Sequence, residues 1–172
     1  LTMREIRSRN QKTHDPKSPT RVWIDEDNTP SGIYNSLTII LNTGGCRWAR
    51  AGGCTMCGYV AESVKGGSVS HEDLLTQVTV ALDYEKQQNI SCGQVKIYTS
   101  GSFFDEREVP SVTRKSIAEI FSNRDRIDIE SLPDFVTESK ISDFTNMNLS
   151  VDIAIGLETT SDRIRKDCIN KY

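Results

Sequence analysis

The sequence lacks any apolar segment that approaches the roughly 20 residues of a membrane-spanning helix. Its first 17 residues, LTMREIRSRNQKTHDPK, also lack the apolar core of a secretory signal. The chain contains no low-complexity segment. With 36% hydrophobic and 26% charged residues in 172 positions, its composition is typical of one globular domain of ordinary size. We therefore expect a protein without a membrane span, in a reducing intracellular compartment.

Histidine is scarce, and the net charge of −3 excludes a polycation. Basic residues are nevertheless concentrated near the start, so we interpret residues 1–35 as a basic N-terminal arm. Its cationic residues are Arg4, Arg7, Arg9, Lys12, Lys17 and Arg21. Such an arm is either a solvated terminus or an electrostatic contact with a nucleic-acid backbone.

Beyond the arm, short β-branched runs alternate with segments of helical periodicity. The predicted strands are 36–41, 95–99, 126–130 and 151–155. The predicted helices begin near Ser70, Pro110, Thr137 and Ser161, and the last is incomplete near Tyr172. This alternation, repeated at intervals of about thirty residues, predicts βαβ units and a parallel sheet.

Three of the five cysteines follow the first predicted strand, in the segment CRWARAGGCTMCGY. Their spacing is Cys46-x7-Cys54-x2-Cys57. In a reducing compartment such a group binds metal more often than it forms disulfides, and a disulfide would leave one thiol over. A thioredoxin-like pair should begin a helix, whereas Gly58 follows the last cysteine.

The kind of metal stays open on spacing alone. A structural zinc needs a fourth ligand, and the candidates lie at no usual spacing. These candidates are His14, His71, Cys92 and Cys168. Three thiolates instead suit a [4Fe–4S] cluster in which one iron lacks a protein ligand, so that a substrate amine and carboxylate can chelate it.

Other polar residues follow the predicted strands where each one ends. Gly101 and Ser102 follow the second strand, Glu130 ends the third, and Glu158 follows the fourth. Singly, these are ordinary strand-exit turns and solvated acids. Ligands of parallel α/β folds bind at the carboxyl ends of the strands, so we expect these residues to meet the cysteine loop on one rim.

A three-cysteine loop after the first strand of a parallel α/β barrel resembles the radical S-adenosylmethionine (SAM) superfamily. The usual spacing there is x3 and x2 with an aromatic before the last cysteine, whereas here the first gap is x7 and Met56 takes the aromatic position. Longer first gaps resemble the branch of the Elongator catalytic subunit. The other matching segments are TSGSFFD (99–105), ESLPDF (130–135) and GLETTSDRIR (156–165).

This resemblance covers residues 36–172 and implies a partial (β/α) barrel. Superfamily members resemble a six-unit barrel, and only about four units are recognisable here. We therefore expect residues 36–172 to be the N-terminal portion of a truncated barrel from a longer enzyme.

The resemblance also implies an activity, namely reductive cleavage of SAM to a 5′-deoxyadenosyl radical. The stretch WARAGGCTMCGY is similar to tRNA-modifying lyases that cleave a C–N bond in a lysine-bearing 7-deazaguanine to form archaeosine. The implied partners are tRNA, an external electron donor and the lysine-transferring archaeosine synthase subunit, with no membrane. The implied location is cytoplasmic.

Nine residues receive roles from the resemblance, and none of them is identified as a catalytic group. The implied ligands of the [4Fe–4S] cluster are Cys46, Cys54 and Cys57. The implied SAM contacts are Met56 and Tyr59 near the adenine, Gly101 and Ser102 at the amino group, and Glu130 and Glu158 at other polar groups.

Two rival functions are compatible with the same residues. One is a radical SAM enzyme that acts on another tRNA base or on a small molecule. The other is a zinc-stabilised RNA-binding module that uses the basic arm and the cysteine loop.

Overall fold

The computed structural model describes residues 13–29 and 32–171, together with Thr2, Glu5, Ile6 and Arg9. Four residues named above lie outside the described residues, namely Arg4, Arg7, Lys12 and Tyr172. The structural statements that follow refer to the described part of the chain.

A five-stranded mixed sheet forms the centre of this α/β fold, with its strands in chain order β1-β2-β3-β4-β5. The strands are β1 (Arg21–Thr29), β2 (Gly32–Ile40), β3 (Gln94–Tyr98), β4 (Arg126–Glu130) and β5 (Ser150–Ala154). β1 pairs antiparallel with β2, and the pairs from β2 to β5 are parallel.

Helices connect the parallel strands, as expected for βαβ crossovers. The α-helices are α1 (Arg47–Arg50), α2 (His71–Gln88), α3 (Ser111–Ile120) and α4 (Glu138–Thr145). Short 3₁₀ turns span Tyr59–Glu62 and Pro133–Phe135, and a π-helical turn spans Ile164–Cys168. The predicted cap of α2 is confirmed, because Ser70 accepts a 3.0 Å hydrogen bond from the Asp73 backbone N–H.

Strand β1 lies within the segment that was predicted to be a basic arm. It forms a hairpin with β2, in register from Arg21 opposite Ile40 to Thr29 opposite Gly32, so the sheet begins before the predicted boundary at residue 36. The strand was not predicted from its sequence, RVWIDEDNT, because acidic residues interrupt the apolar run that identifies a strand. One of these acids has a charged partner on β3, because Asp27 accepts a 2.7 Å hydrogen bond from Lys96 Nζ.

The two faces of the sheet differ in character because side chains alternate along a strand. One face packs against α2, α3 and α4 and forms the hydrophobic core. Its fully buried strand residues are Leu37, Ile39, Val95, Ile97, Ile127 and Ile129. The opposite face is polar, and one row of paired residues crosses it as Thr38, Lys96, Asp128 and Asp152.

Among the described residues, no helix combines the length and the apolar character that a membrane crossing requires. α2 is the longest helix, with 18 residues, and it carries charged residues along its exposed side.

Candidate functional site at the carboxyl ends of the strands

A cleft of about 1030 Å³ opens where β2, β3 and β4 end. Its walls are the cysteine loop, the exits of these strands, and the segment after β5. Pockets for small molecules have volumes of roughly 300–1,000 Å³, so this open cleft has room for a cofactor and part of a substrate. Its position agrees with the rule that parallel α/β folds bind ligands at the carboxyl ends of their strands.

All three cysteines of the loop line this cleft, and each is partly exposed. The five cysteines all lie in the described residues, and none forms a disulfide. No three His, Cys, Asp or Glu side chains in the described residues converge closely enough to hold a single metal ion. A [4Fe–4S] cluster has a different requirement, because each thiolate ligates a different iron.

The first cysteine of the loop caps the short helix α1. Burial raises the pKa of the Cys46 thiol, and the nearby backbone N–H groups of Ala49 and Trp48 oppose this rise. The acids and thiols nearby, Glu108 and Cys57, raise the pKa further. Cys46 therefore favours the neutral thiol until a positive ligand such as iron compensates the charge of the thiolate.

Two arginines, at the first and last positions of α1, fix the loop. Arg50 donates from Nε to the Gly44 carbonyl at 2.6 Å and from Nη2 to the Val64 carbonyl at 3.0 Å, which ties the start of the loop to its end. Arg47 makes a bidentate ion pair with Asp105, and its guanidinium lies 4.8 Å from the centre of the Phe135 ring.

A buried carboxylate that the sequence did not single out joins two of the strand exits. Glu108 is 3% exposed, accepts a 2.6 Å hydrogen bond from Thr43 Oγ1 after β2, and accepts a 2.7 Å bond from the Ser102 N–H after β3. Burial raises the pKa of Glu108, although these hydrogen bonds oppose the rise. Glu108 lies beside the cysteine loop, where it holds the backbone of both exits.

Ser102 is not among the residues that line the cleft, and its contact with SAM stays a prediction. It is 1% exposed, and its hydroxyl lies 2.7 Å from Ser131 Oγ and accepts a hydrogen bond from the Leu132 N–H. Neighbouring residues of a turn point in different directions, so the cleft receives Gly101 while Ser102 bridges the exits of β3 and β4.

The remaining predicted residues also line the cleft. Met56 and Tyr59 lie at its mouth, where they are 60% and 70% exposed. Glu130 and Glu158 line the cleft as well, and burial raises the pKa of Glu130. Lys171, which the sequence did not single out, lowers the pKa of Glu130 and donates a 2.8 Å hydrogen bond to Glu158.

Comparison with known proteins gives relatives along nearly the whole chain. The archaeosine synthase subunit beta of Methanosarcina acetivorans is 38% identical over 173 residues, which cover 97% of this chain and 49% of that subunit. The chain is similar to archaeosine synthase beta subunits. The same-named subunit of Thermococcus kodakarensis is 33% identical over 157 residues, covering 87% of this chain and 47% of that subunit.

A third relative is an uncharacterized protein of Methanocaldococcus jannaschii, 37% identical over 177 residues, which cover 98% of this chain and 48% of that protein. The chain thus spans about half the length of the relatives that it matches. No family model and no solved structure matches the chain.

Proposed function

We propose that this chain is part of a radical SAM enzyme, with Cys46, Cys54 and Cys57 as the ligands of a [4Fe–4S] cluster. The observation that carries this proposal is the convergence of three thiols on one cleft, beside a glycine exit and two carboxylates. When bound, a reduced cluster of this kind supplies the electron that cleaves the S–C5′ bond of SAM.

The residues present fit such a group. One loop supplies three thiols. The chain that leaves β3 passes close to this loop at Gly101, which has no side chain. A β-carbon at Gly101 would lie 2.6 Å from Cys46 Cα, so only glycine leaves the first cysteine in its position. The backbone N–H groups of Ala49 and Trp48 favour the thiolate of Cys46 and so offset part of the effect of burial.

The polar groups of the cleft match a ligand that carries both charges. Lys171 is a cation suited to a carboxylate, whereas Glu130 and Glu158 suit an ammonium group and hydroxyl donors. Met56 and Tyr59 form the apolar side at the mouth, where a flat aromatic base can lie against them. SAM carries a carboxylate, an ammonium group, ribose hydroxyls and an adenine base, so each of these side chains has a matching group on SAM.

For the barrel, we infer that β2 to β5 and their helices are consecutive units of a partial (β/α) barrel. The parallel order, the core on the helix side and the cleft at the strand ends support this inference. The polar inner face would then form part of the barrel interior, directly below the cleft.

For the substrate, the names of two relatives support archaeosine formation in tRNA. The enzyme would cleave a C–N bond of the lysine-bearing 7-deazaguanine, with an external electron donor and a partner archaeosine synthase subunit. The word "beta" in the relatives' name supports the partner subunit.

The test uses the full-length protein that contains this chain, reconstituted with iron and sulfide under anaerobic conditions. It is reduced and incubated with SAM, with and without lysine-modified tRNA, and 5′-deoxyadenosine and archaeosine are measured by mass spectrometry. We expect 5′-deoxyadenosine to form and archaeosine to appear only with modified tRNA. Formation of 5′-deoxyadenosine with no archaeosine would refute the substrate and retain the chemistry, whereas neither product would refute both.

A further inference from the structure

Residues 168–171, which begin at the last residue of the π-helical turn, lie against the middle of the cysteine loop. We call these four residues the clasp. They are more than 110 positions in sequence from the loop residues that they contact, and they bond to the residues on both sides of Cys54. No role for the clasp followed from the motifs of the sequence.

On the N-terminal side of Cys54, the clasp contacts Gly53 and Trp48. Asn170 donates from Nδ2 to the Gly53 carbonyl at 3.1 Å, and its own carbonyl accepts a 2.8 Å hydrogen bond from Trp48 Nε1. Gly53 is itself packed on this tryptophan, since a β-carbon there would lie 2.6 Å from Trp48 Cδ1. The residue before Cys54 is therefore held from two directions.

On the C-terminal side of Cys54, the clasp contacts Thr55. The Thr55 backbone N–H donates to the Ile169 carbonyl at 2.8 Å, and its hydroxyl donates to the Cys168 carbonyl at 2.8 Å. Both neighbours of Cys54 thus bond to the same four-residue segment. In this arrangement Cys54 lines the cleft.

The backbone of the clasp is unusual at the residue that makes two of these contacts. Asn170 has a φ of 56°, in the left-handed region that asparagine and glycine tolerate best. The next residue, Lys171, bonds through Nζ to the Gly156 carbonyl and to Glu158 Oε1, and both Lys171 and Glu158 line the cleft. The clasp therefore joins the loop of Cys54 to the charged side of the cleft.

We propose that the clasp is a positioning element for Cys54, which holds residues 53–55 so that the thiol faces the cleft and couples this arrangement to the Lys171–Glu158 pair. The inference rests on the proposed function only in treating Cys54 as a cluster ligand. A ligand that engages Lys171 or Glu158 then acts on the same segment that orders Cys54.

The test measures the alkylation rate of each cysteine in the full-length protein, prepared anaerobically without added iron, by mass spectrometry after iodoacetamide. Asn170→Gly keeps the left-handed backbone and removes the amide, whereas Asn170→Ala removes both. Losing one such hydrogen bond should increase local opening about fivefold, and we expect at least this acceleration at Cys54 for both variants. Cys46, which the clasp does not bond, should keep its rate.

Asn89→Ala is the matched control, because Asn89 has a φ of 55° at the end of α2 and makes its cap contact within that helix. Asn89→Ala places an alanine in the same left-handed backbone conformation as Asn170→Ala, at the same cost in stability, but at a site that does not contact the cysteine loop. Equal Cys54 rates in Asn170→Ala and Asn89→Ala, or an unchanged rate in Asn170→Gly, would overturn the proposal. Should Asn170→Ala fail to fold, Asn170→Gly decides the question.

A second readout uses the same proteins after iron reconstitution, and follows loss of the cluster absorbance to a chelator. We expect about fivefold faster loss in Asn170→Gly than in wild type, and no change in Asn89→Ala. Absence of iron uptake in the wild type would refute the proposed function, whereas the alkylation result would still test the clasp. Equal chelation rates in all three proteins would contradict a role of the clasp toward the cluster.

Discussion

Gly101 lies in contact with Glu108, and this contact determines how the exit of β3 meets the cysteine loop. A β-carbon at Gly101 would stand 2.4 Å from Glu108 Oε2 and 2.7 Å from Cys46 Cβ. Because real atoms do not approach so closely, the backbone at this point has no room for any side chain. Gly101 thus leaves room for Cys46 at the edge of the cleft, and the buried carboxylate of Glu108 holds the backbone of the neighbouring strand exits in place.

The first prediction follows from this contact. We expect Gly101→Ala to lower the free energy of unfolding by about 1–3 kcal/mol, because the added methyl group displaces either Cys46 or Glu108. Iron uptake should fall with it. Gly58→Ala is the stability control, since its β-carbon would meet nothing within 4 Å. Urea unfolding compares the variants, and equal stabilities would show that the site accommodates the methyl group.

Ser102 distinguishes two roles, namely the structural bridge that its hydroxyl makes to Ser131 and Leu132 and the SAM contact that the motif implies. We expect Ser102→Ala to lower the free energy of unfolding by about 1–2 kcal/mol, because Ser131 and Leu132 lose a buried partner. The dissociation constant for SAM should not change. A double-mutant cycle with Ser131→Ala should give a coupling of about 1 kcal/mol. Weakened SAM binding without loss of stability would instead support the motif-based assignment.

Lys171 should contribute to ligand binding through its charge. We expect Lys171→Met to weaken SAM binding about tenfold, since a methionine keeps the length of the side chain and loses the cation. Lys115→Met is the control, because that lysine is exposed on α3 and lies 3.8 Å from Asp143 in a surface pair. Equilibrium dialysis measures both variants, and equal affinities would exclude Lys171 from the binding site.

A buried ion pair away from the cleft, between Glu85 and Arg124, makes the free energy of unfolding depend on pH in the acid range. Glu85 accepts hydrogen bonds from both Arg124 amino groups at 2.8 and 2.6 Å and from the Cys92 N–H. Burial raises the pKa of Glu85, but these hydrogen bonds more than compensate, so the pKa lies below its usual value. Since the folded pKa is depressed, the pair stabilises above about pH 4.3 and its contribution is lost as pH falls through the folded pKa.

Glu85→Gln should therefore lower the free energy of unfolding at pH 7 by about 3 kcal/mol, because it leaves Arg124 without its carboxylate. Below pH 4 the difference from wild type should shrink. Urea unfolding from pH 7 to pH 3 measures this, with the exposed Glu119→Gln as control. A difference that stays constant across the range would contradict the assigned pKa shift.

The sequence predicted the parallel strands well because their residues carry a local signal. The apolar, β-branched residues of β2, β3 and β4 are buried against helices, and this burial produced the pattern that was recognised. Strand β1 carries no such signal, since its acids are paired with residues of other strands such as Lys96. Its pairing depends on contacts that become visible only in three dimensions.

The same distinction explains the site. The cysteines, Gly101 and Glu158 follow strand ends, Glu130 is the last residue of β4, and the geometry of parallel strands brings these ends together. Glu108 and Lys171 follow no strand directly, and their partners lie far away in the chain, so no spacing pointed to them. Ser102 belongs to the same motif as Gly101, and the motif alone did not predict that its hydroxyl bonds to Ser131 and Leu132.

The most direct test of the account is the metal content of the anaerobically reconstituted full-length protein, compared with variants in which Cys46, Cys54 or Cys57 is replaced by serine. We predict about four irons per wild-type chain, the brown absorbance of a [4Fe–4S] cluster, and loss of both in each variant. Cys92→Ser, at a buried cysteine outside the cleft, should retain the iron. A colourless protein that binds one zinc and takes up no iron would contradict the account.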